Sequence, residues 1–195
     1  MSDLPLLALY FGCFVLAAGA ERFLFRPGRL REEEGDRALP VEQNKLMPLY
    51  VLLTGVCCLI APLDLLYLPV TLPRTLVMSA VGFVIFLLGV GLRGWSIRTL
   101  GRHFTWRLGI RTEHRLVTDG PYRWLRHPSY TGAMLLFAGT QVVLGSATGL
   151  VLALVGFPLY YRQRIADEEA MLAEALGEPY RAWQARTWKM VPGLF

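Results

Sequence analysis

Apolar residues dominate this chain in long runs, and polar residues gather between them. Residues 4–25, 46–68 and 75–97 are apolar almost throughout, and each reaches the roughly 20 residues that a membrane-spanning helix needs. A further apolar stretch, 129–161, is too long for one span. It is interrupted by Gly145-Ser146-Ala147-Thr148-Gly149, small residues suited to a tight turn. The pattern predicts a helical hairpin with arms at 129–147 and 149–161, the second arm short for a full span unless it continues past Arg162. The expected fold class is all-α: a polytopic membrane protein with five transmembrane helices. It reads as a single domain over 1–195, with three N-terminal spans in 1–97 and the chemistry in 98–195.

Composition agrees with that layout. Of the 195 residues, 54% are hydrophobic, which is too many for an ordinary soluble domain, yet the net charge is +5. The basic residues are unevenly placed. The 26–45 segment carries Arg26, Arg29, Arg31, Arg37 and Lys45. The 98–127 segment carries Arg98, Arg102, Arg107, Arg111, Arg115, Arg123 and Arg126, and the tail after 161 carries Arg162, Arg164, Arg181, Arg186 and Lys189. The 69–74 loop has only Arg74, and the 145–149 turn has no basic residue. Five spans put all the basic segments on one side. The positive-inside rule makes that side cytoplasmic and places the N-terminus outside. Ala18-Gly19-Ala20 resembles a signal-peptide cleavage site, but no basic residue precedes the apolar run, and cleavage would leave an Arg-rich segment outside. Cys13, Cys57 and Cys58 lie inside apolar runs and read as small buried residues rather than metal ligands. No metal and no nucleic-acid partner is expected; membrane lipids are. The Arg-rich, compact chain points to a bacterial inner membrane.

The chemistry then has to come from the cytoplasmic 98–127 loop and the C-terminal helices. In GPYRWLRHPSYTG, residues 120–132, Pro128 is suited to the first position of a helix, where its missing N–H costs nothing. His127 before it is biased toward an extended conformation. The N–H groups of Ser129, Tyr130 and Thr131 are expected to point outward as an anion site, with Arg126 and His127 as further donors. Gly132 permits close approach of a ligand or another backbone. Arginine and tyrosine as plain interfacial anchors explain the same stretch equally well. Farther on, Ile165, Leu172 and Leu176 form an apolar helical stripe that Glu168 and Glu169 interrupt. Two carboxylates there need partners, either an arginine of the 98–127 loop or a ligand. Asp167, Glu174 and Glu178 lie on the solvated face, and Gly177 ends the helix. Thr140 and Gln141 either join helices by hydrogen bonds or line a cavity. Asp64 and Arg93, near span ends, are expected to reach the interface by snorkelling.

HRLVTDGPYRWLRHPSYTG, residues 114–132, resembles the isoprenylcysteine carboxyl methyltransferases. The likeness extends upstream to His103-Phe104-Thr105 and downstream through Gly139-Thr140-Gln141, Glu168-Glu169, Gly177-Glu178-Pro179-Tyr180 and Val191-Pro192-Gly193-Leu194. It covers roughly 95–195 and is weaker for phospholipid methyltransferases and NADPH-dependent sterol reductases. The resemblance implies a membrane enzyme that uses S-adenosyl-L-methionine as methyl donor and takes a lipophilic acceptor sideways from the bilayer. It places Leu116 and Val117 along the adenosine, His114 and Tyr122 closing that pocket, and His127, Pro128 and Tyr130 at the methionine end. Gly132 belongs to the same cofactor group. Glu168 would bind the donor's polar groups, with Glu169 supporting. Arg186 matches an arginine that orients a substrate carboxylate, and Arg126 and Glu169 join it as candidate catalytic residues. Methyl transfer to a carboxylate needs no general base, since that group is already ionised; an amine or phenol acceptor would need one, with Glu169 or His103 as candidates. The open alternatives are an NADPH-dependent membrane reductase, a phospholipid or small-lipid methyltransferase, and a non-catalytic protein whose arginines hold anionic headgroups.

Overall fold

A computed structural model describes residues 4–23, 47–67, 72–101 and 116–193. Among these the chain is helical, with no strand; one isolated parallel bridge joins Leu125 to Trp188. The elements are α1 (Leu4–Phe23), α2 (Met47–Tyr67), α3 (Leu76–Leu100), a 3-10 turn (Gly120–Arg123), α4 (Pro128–Leu144), α5 (Ala147–Val151), α6 (Phe157–Leu176) and α7 (Glu178–Gln184). A π-helical turn, Leu152–Gly156, joins α5 to α6 without a break. Pro158 explains it locally, because it withholds the N–H that the Leu154 carbonyl would otherwise accept. The second hairpin arm therefore does run on past Arg162, as far as Leu176.

Two helices, Pro48–Tyr67 and Leu76–Leu100, are long and apolar enough to cross a membrane, and the apolar part of α1, Leu4–Ala20, is shorter. Their outer faces expose Leu52, Leu59, Val77 and Leu88, among others. Such a surface belongs against acyl chains, where backbone groups must be satisfied inside the helix and apolar side chains cost nothing.

At the centre sits α4, buried at every position except Tyr130 and Leu135. Its neighbour α3 runs antiparallel to it and approaches to backbone contact. A Cβ on Gly89 would lie 2.4 Å from the backbone N of Leu136, and one on Gly139 would lie 2.4 Å from that of Phe86. Gly82 and Gly132 are equally confined, facing Val143 and Arg93. Seven residues make about two turns, so Gly82 and Gly89 share one face of α3, as Gly132 and Gly139 share one face of α4. Small residues let helix backbones meet and exchange dispersion and Cα–H···O contacts in a setting where lipid supplies no hydrophobic drive. Gly132 is thus occupied by another backbone.

Several polar residues in the helices bond internally, although Thr54 Oγ1, Asp64 Oδ1 and Gln141 Oε1 are buried without a partner among the described residues. Pro62 inside α2 leaves the Cys58 carbonyl without its helical partner. The Tyr10 hydroxyl donates there at 3.2 Å and to the Cys57 carbonyl at 3.0 Å. Gln141 Nε2 also donates to the Cys57 carbonyl, at 3.2 Å, which ties α4 to α2. Asp64 and Arg93 do not snorkel. Asp64 is fully buried and accepts from the Ser146 hydroxyl at 2.5 Å, while that hydroxyl accepts the Gly149 N–H and caps α5. Arg93 turns inward onto Ser129. Cys13 and Cys57 are buried and none of the cysteines is disulfide-bonded.

Gly89→Ala should lower the thermal unfolding midpoint in detergent, at a cost of about 1–3 kcal/mol from overpacking against rigid backbone. Gly91→Ala, with nothing within 4 Å of its Cβ position, should leave the midpoint unchanged or slightly raised. Equal losses in both variants would show that the α3–α4 contact is not this tight.

Candidate functional site

The site is organised by the entry into α4. Trp124 closes the Gly120–Arg123 turn in a helical conformation, and the residues from Trp124 to His127 pair with the C-terminal tail. Trp188 N donates to the Trp124 carbonyl at 2.9 Å, Arg126 N to that of Trp188 at 2.8 Å, and His127 N to that of Lys189 at 2.9 Å. The Thr131 hydroxyl adds a bond to the Met190 carbonyl at 2.8 Å. Pro128 then begins the helix, with His127 as its non-helical N-cap at φ −125° and ψ 54°. The expected row of outward N–H groups is shortened. The His127 carbonyl accepts both Tyr130 N and Thr131 N, at 3.1 and 3.2 Å. It takes them because the turn tightens to satisfy donors that a helix start otherwise leaves open. Arg93 reaches the same end of α4 from α3 and donates to the Ser129 hydroxyl at 2.9 Å.

One turn of α6 lays Glu168 and Glu169 against this entry. Glu169 is enclosed. Its Oε1 accepts from Arg126 Nε at 2.6 Å and faces His127 Nε2 at 3.2 Å, and its Oε2 accepts from Gln184 Nε2 at 3.0 Å. Arg126 Nη1 in turn donates to the carbonyls of Gln184 and Thr187. The partner left open between an arginine and a ligand is, for Glu169, the arginine of the preceding loop. Burial alone would raise this carboxyl, but the hydrogen bonds and charges of His127 and Arg126 outweigh it and hold it at about 2.

Glu168 is different. Its Oε2 accepts from the Tyr130 hydroxyl at 2.8 Å, His127 Nδ1 stands 3.7 Å away, and the side chain keeps 27% of its exposure. The Tyr130 oxygen also accepts from Arg164 Nε at 2.8 Å. The rings of His127, Tyr130 and Tyr161 stack in series, at 5.5 and 4.4 Å between centroids. Beside the carboxylates lies an aromatic cluster of Tyr122, Tyr180 and Trp183, with Leu116, Val117, Leu172, Ala173 and Leu176 packed on it. Trp183 Nε1 donates to the Tyr122 carbonyl at 3.1 Å and fixes α7 over the 3-10 turn.

Arg126, His127, Pro128, Tyr130, Glu168 and Glu169 therefore converge, and Leu116, Val117 and Tyr122 line the adjoining cluster. Gly132 faces α3 one turn deeper. Arg186 is exposed on the tail, its backbone N bonded to the Trp183 carbonyl at 3.2 Å. His114, and His103 with it, lies outside the described residues. Arg93, Arg164, Tyr180, Trp183, Gln184 and Thr187 were not picked out by sequence as part of the site. Arg164 had a signal, standing four residues before Glu168 on one helix face. Tyr180 had one as well, in the Gly177-Glu178-Pro179-Tyr180 motif, which carried no role for it; the others had none, because their partners are distant in the chain. Among the described residues no three His, Cys, Asp or Glu side chains gather as a metal site would require.

Comparison with known proteins points one way. Residues 80–174 match the model of the isoprenylcysteine carboxyl methyltransferase (ICMT) family. Protein-S-isoprenylcysteine O-methyltransferase B of Arabidopsis thaliana is 37% identical over 117 residues, 59% of this chain and 59% of that protein. The Dictyostelium discoideum protein-S-isoprenylcysteine O-methyltransferase is 31% identical over 127 residues, 62% of this chain and 52% of that one. In structure, the chain is similar to the eukaryotic intramembrane Ras methyltransferase ICMT, with a TM-score of 0.64 and 26% identity, covering 75% of this chain and 53% of the other. The matches thus span less than two thirds of these relatives' own length.

The Glu169 carboxyl, held below its ordinary 4.5 in the folded state, stabilises the fold above that pH. The contribution disappears as pH falls toward about 2. A shift of this size corresponds to about 3 kcal/mol. The unfolding midpoint should drop between about pH 7 and about pH 3 in the wild type. In Glu169→Gln it should start lower and change less; parallel profiles would refute the pairing.

Proposed function

We propose, from the ICMT-family pattern of residues 80–174, that this protein is an S-adenosyl-L-methionine-dependent membrane methyltransferase. Its acceptor is a lipophilic carboxylate of the isoprenylcysteine type. The observation that carries the reading is Glu168, half-open at the head of α4 between His127, Tyr130 and Arg164, with an aromatic cluster beside it. The relatives named above are methyltransferases, and nothing among them favours a reductase.

The residues suit this donor. S-adenosyl-L-methionine carries a carboxylate, an ammonium, a sulfonium and an adenosine. An N-terminal helix end with Ser129 N–H and basic neighbours suits the first. A partly exposed carboxylate and aromatic faces suit the cations, and an apolar aromatic cluster suits the last. The Tyr180 hydroxyl in that cluster is buried with no hydrogen-bond partner, a polar atom that a bound molecule can satisfy. When bound, the donor supplies a methyl group on sulfur, which passes to the acceptor oxygen while the sulfur keeps the bonding electron pair.

The chain's own residues then have limited work: holding, aligning and drying. Arg126 and Glu169 fix the tail against the α4 entry, so the pocket keeps its shape. Glu169, at about 2, is far too weak a base to activate an amine or phenol at neutral pH. That favours an acceptor already ionised, and a carboxylate is one. Arg186 is the arginine that the family likeness assigns to this carboxylate. Arg164 is a second candidate on geometry, since it reaches the Tyr130 hydroxyl beside Glu168, and a guanidinium can grip a carboxylate with two parallel bonds. Five spans with the basic segments and C-terminus in the cytoplasm would set this pocket at the membrane surface, open to a soluble donor and a bilayer-borne acceptor.

Purified protein should gain roughly 2.7 kcal/mol with S-adenosylhomocysteine at about a hundred times its dissociation constant, and nothing with NADPH. It should esterify an S-farnesylcysteine derivative bearing a free carboxylate. Glu168→Ala and His127→Ala should lose donor binding while remaining folded. Arg186→Ala and Arg164→Ala should bind the donor and turn over slowly, and whichever keeps full turnover is not the carboxylate's arginine. Stabilisation by NADPH alone would replace this reading with a reductase.

A further inference from the structure

In and beside the aromatic cluster several polar atoms are accounted for. Trp183 Nε1 is bonded to the Tyr122 carbonyl. Both Glu169 oxygens are taken, and Gln184 is bonded through its side-chain amide and its carbonyl. The Tyr180 hydroxyl stands apart as fully enclosed and unspent. Tyr180 is fully buried, its ring packed 5.5 Å from that of Trp183, and its oxygen has no hydrogen-bond partner among the described residues. A buried hydroxyl without a partner is costly, and tyrosines placed this deep normally spend theirs. A phenylalanine would fill the same space at no such cost.

The hydroxyl also has a defined polarity. Burial, and then the charges of Glu169 and Glu168, hold it well above the ordinary phenol range, so it keeps its proton and can donate. Around it stand the ring of Tyr122 and, packed on the cluster, Leu116 and Val117. Aromatic and branched side chains surrounding one unspent donor suit a flat heteroaromatic ring that carries acceptor nitrogens or hydroxyls. Neither a lipid chain nor a free amino acid has that chemistry.

We infer that Tyr180 is a further binding residue of this site, its hydroxyl donating a hydrogen bond to the nucleoside half of the methyl donor. This rests on the methyltransferase reading. It assigns α7, through Gly177-Glu178-Pro179-Tyr180, a direct role in holding the donor as well as a structural one.

The test is Tyr180→Phe in the full-length protein, with S-adenosylhomocysteine affinity measured by calorimetry and unfolding followed without ligand. Affinity should fall roughly tenfold, the size expected when a buried acceptor loses its donor. The ligand-free midpoint should be unchanged or higher, because an unspent polar atom has been removed. The same loss should appear with 5′-methylthioadenosine, which keeps the nucleoside and lacks the amino-acid end. Unchanged affinity would overturn the inference, as would a lower ligand-free midpoint, which would mean the hydroxyl is spent within the protein. A loss confined to S-adenosylhomocysteine would also overturn it by moving the contact to the amino-acid end. If the wild type binds no S-adenosylhomocysteine, the methyltransferase reading itself has failed.

Discussion

The buried pair of Arg126 and Glu169 holds together the half of this protein that carries the site. Both side chains are almost fully enclosed, at 7% and 9% exposure, and taking two charges out of water is expensive. The cost is offset by the number of bonds the pair makes. Arg126 meets Glu169 and two tail carbonyls, while Glu169 also meets Gln184 and His127. Three segments far apart in sequence, the α4 entry, α6 and the tail, are thereby locked in one arrangement. A hydrophobic substitute of similar volume would stabilise comparably but would not dictate which turn of α6 faces the entry. That is a question of register, and here directional bonds settle it.

Farther into the helices the constraint is different in kind. Apolar surface cannot tell lipid from protein, so packing has to come from close fit and internal hydrogen bonds. The glycines of α3 and α4 provide the fit. Tyr10, Gln141 and Ser146 provide the bonds: Tyr10 to the Cys58 carbonyl that Pro62 leaves open, Gln141 to the Cys57 carbonyl of α2, and Ser146 to the Asp64 carboxylate. The tight α3–α4 contact has a consequence at the surface. It brings Arg93 of α3 to Ser129 at the start of α4, so the site inherits its geometry from a contact deeper in the bundle.

The two glutamates show how one helix turn divides its labour. Adjacent residues on α6 point to different surroundings: Glu169 into a saturated cage, Glu168 toward a partly open edge with a tyrosine and a histidine. The closed one shapes the pocket and the open one is left to meet a ligand. On the methyltransferase reading proposed above, a water-soluble donor and a bilayer-borne acceptor would meet where α4 begins, which is where the basic and aromatic residues are gathered.

Local rules made much of this legible. Apolar runs located the helices, Pro128 and Gly177 marked a helix start and end, and the small residues after Gly145 marked the turn, because each acts within a turn or two of its own position. The family-like motifs likewise pointed to Arg126, His127, Tyr130 and the two glutamates. What sequence left open concerned partners. Gly132 was free to meet a ligand or a backbone, Glu169 an arginine or a ligand, and Arg93 and Asp64 looked bound for the interface. The α4 entry was expected to present more free N–H groups than it does. Each of these depends on which faces of distant helices are brought together and at what register. Hydrophobic periodicity does not encode that; the glycine contact and the Arg126–Glu169 cage decide it. Tyr180 belongs with them, since only the folded cluster reveals that its hydroxyl has nothing to bond.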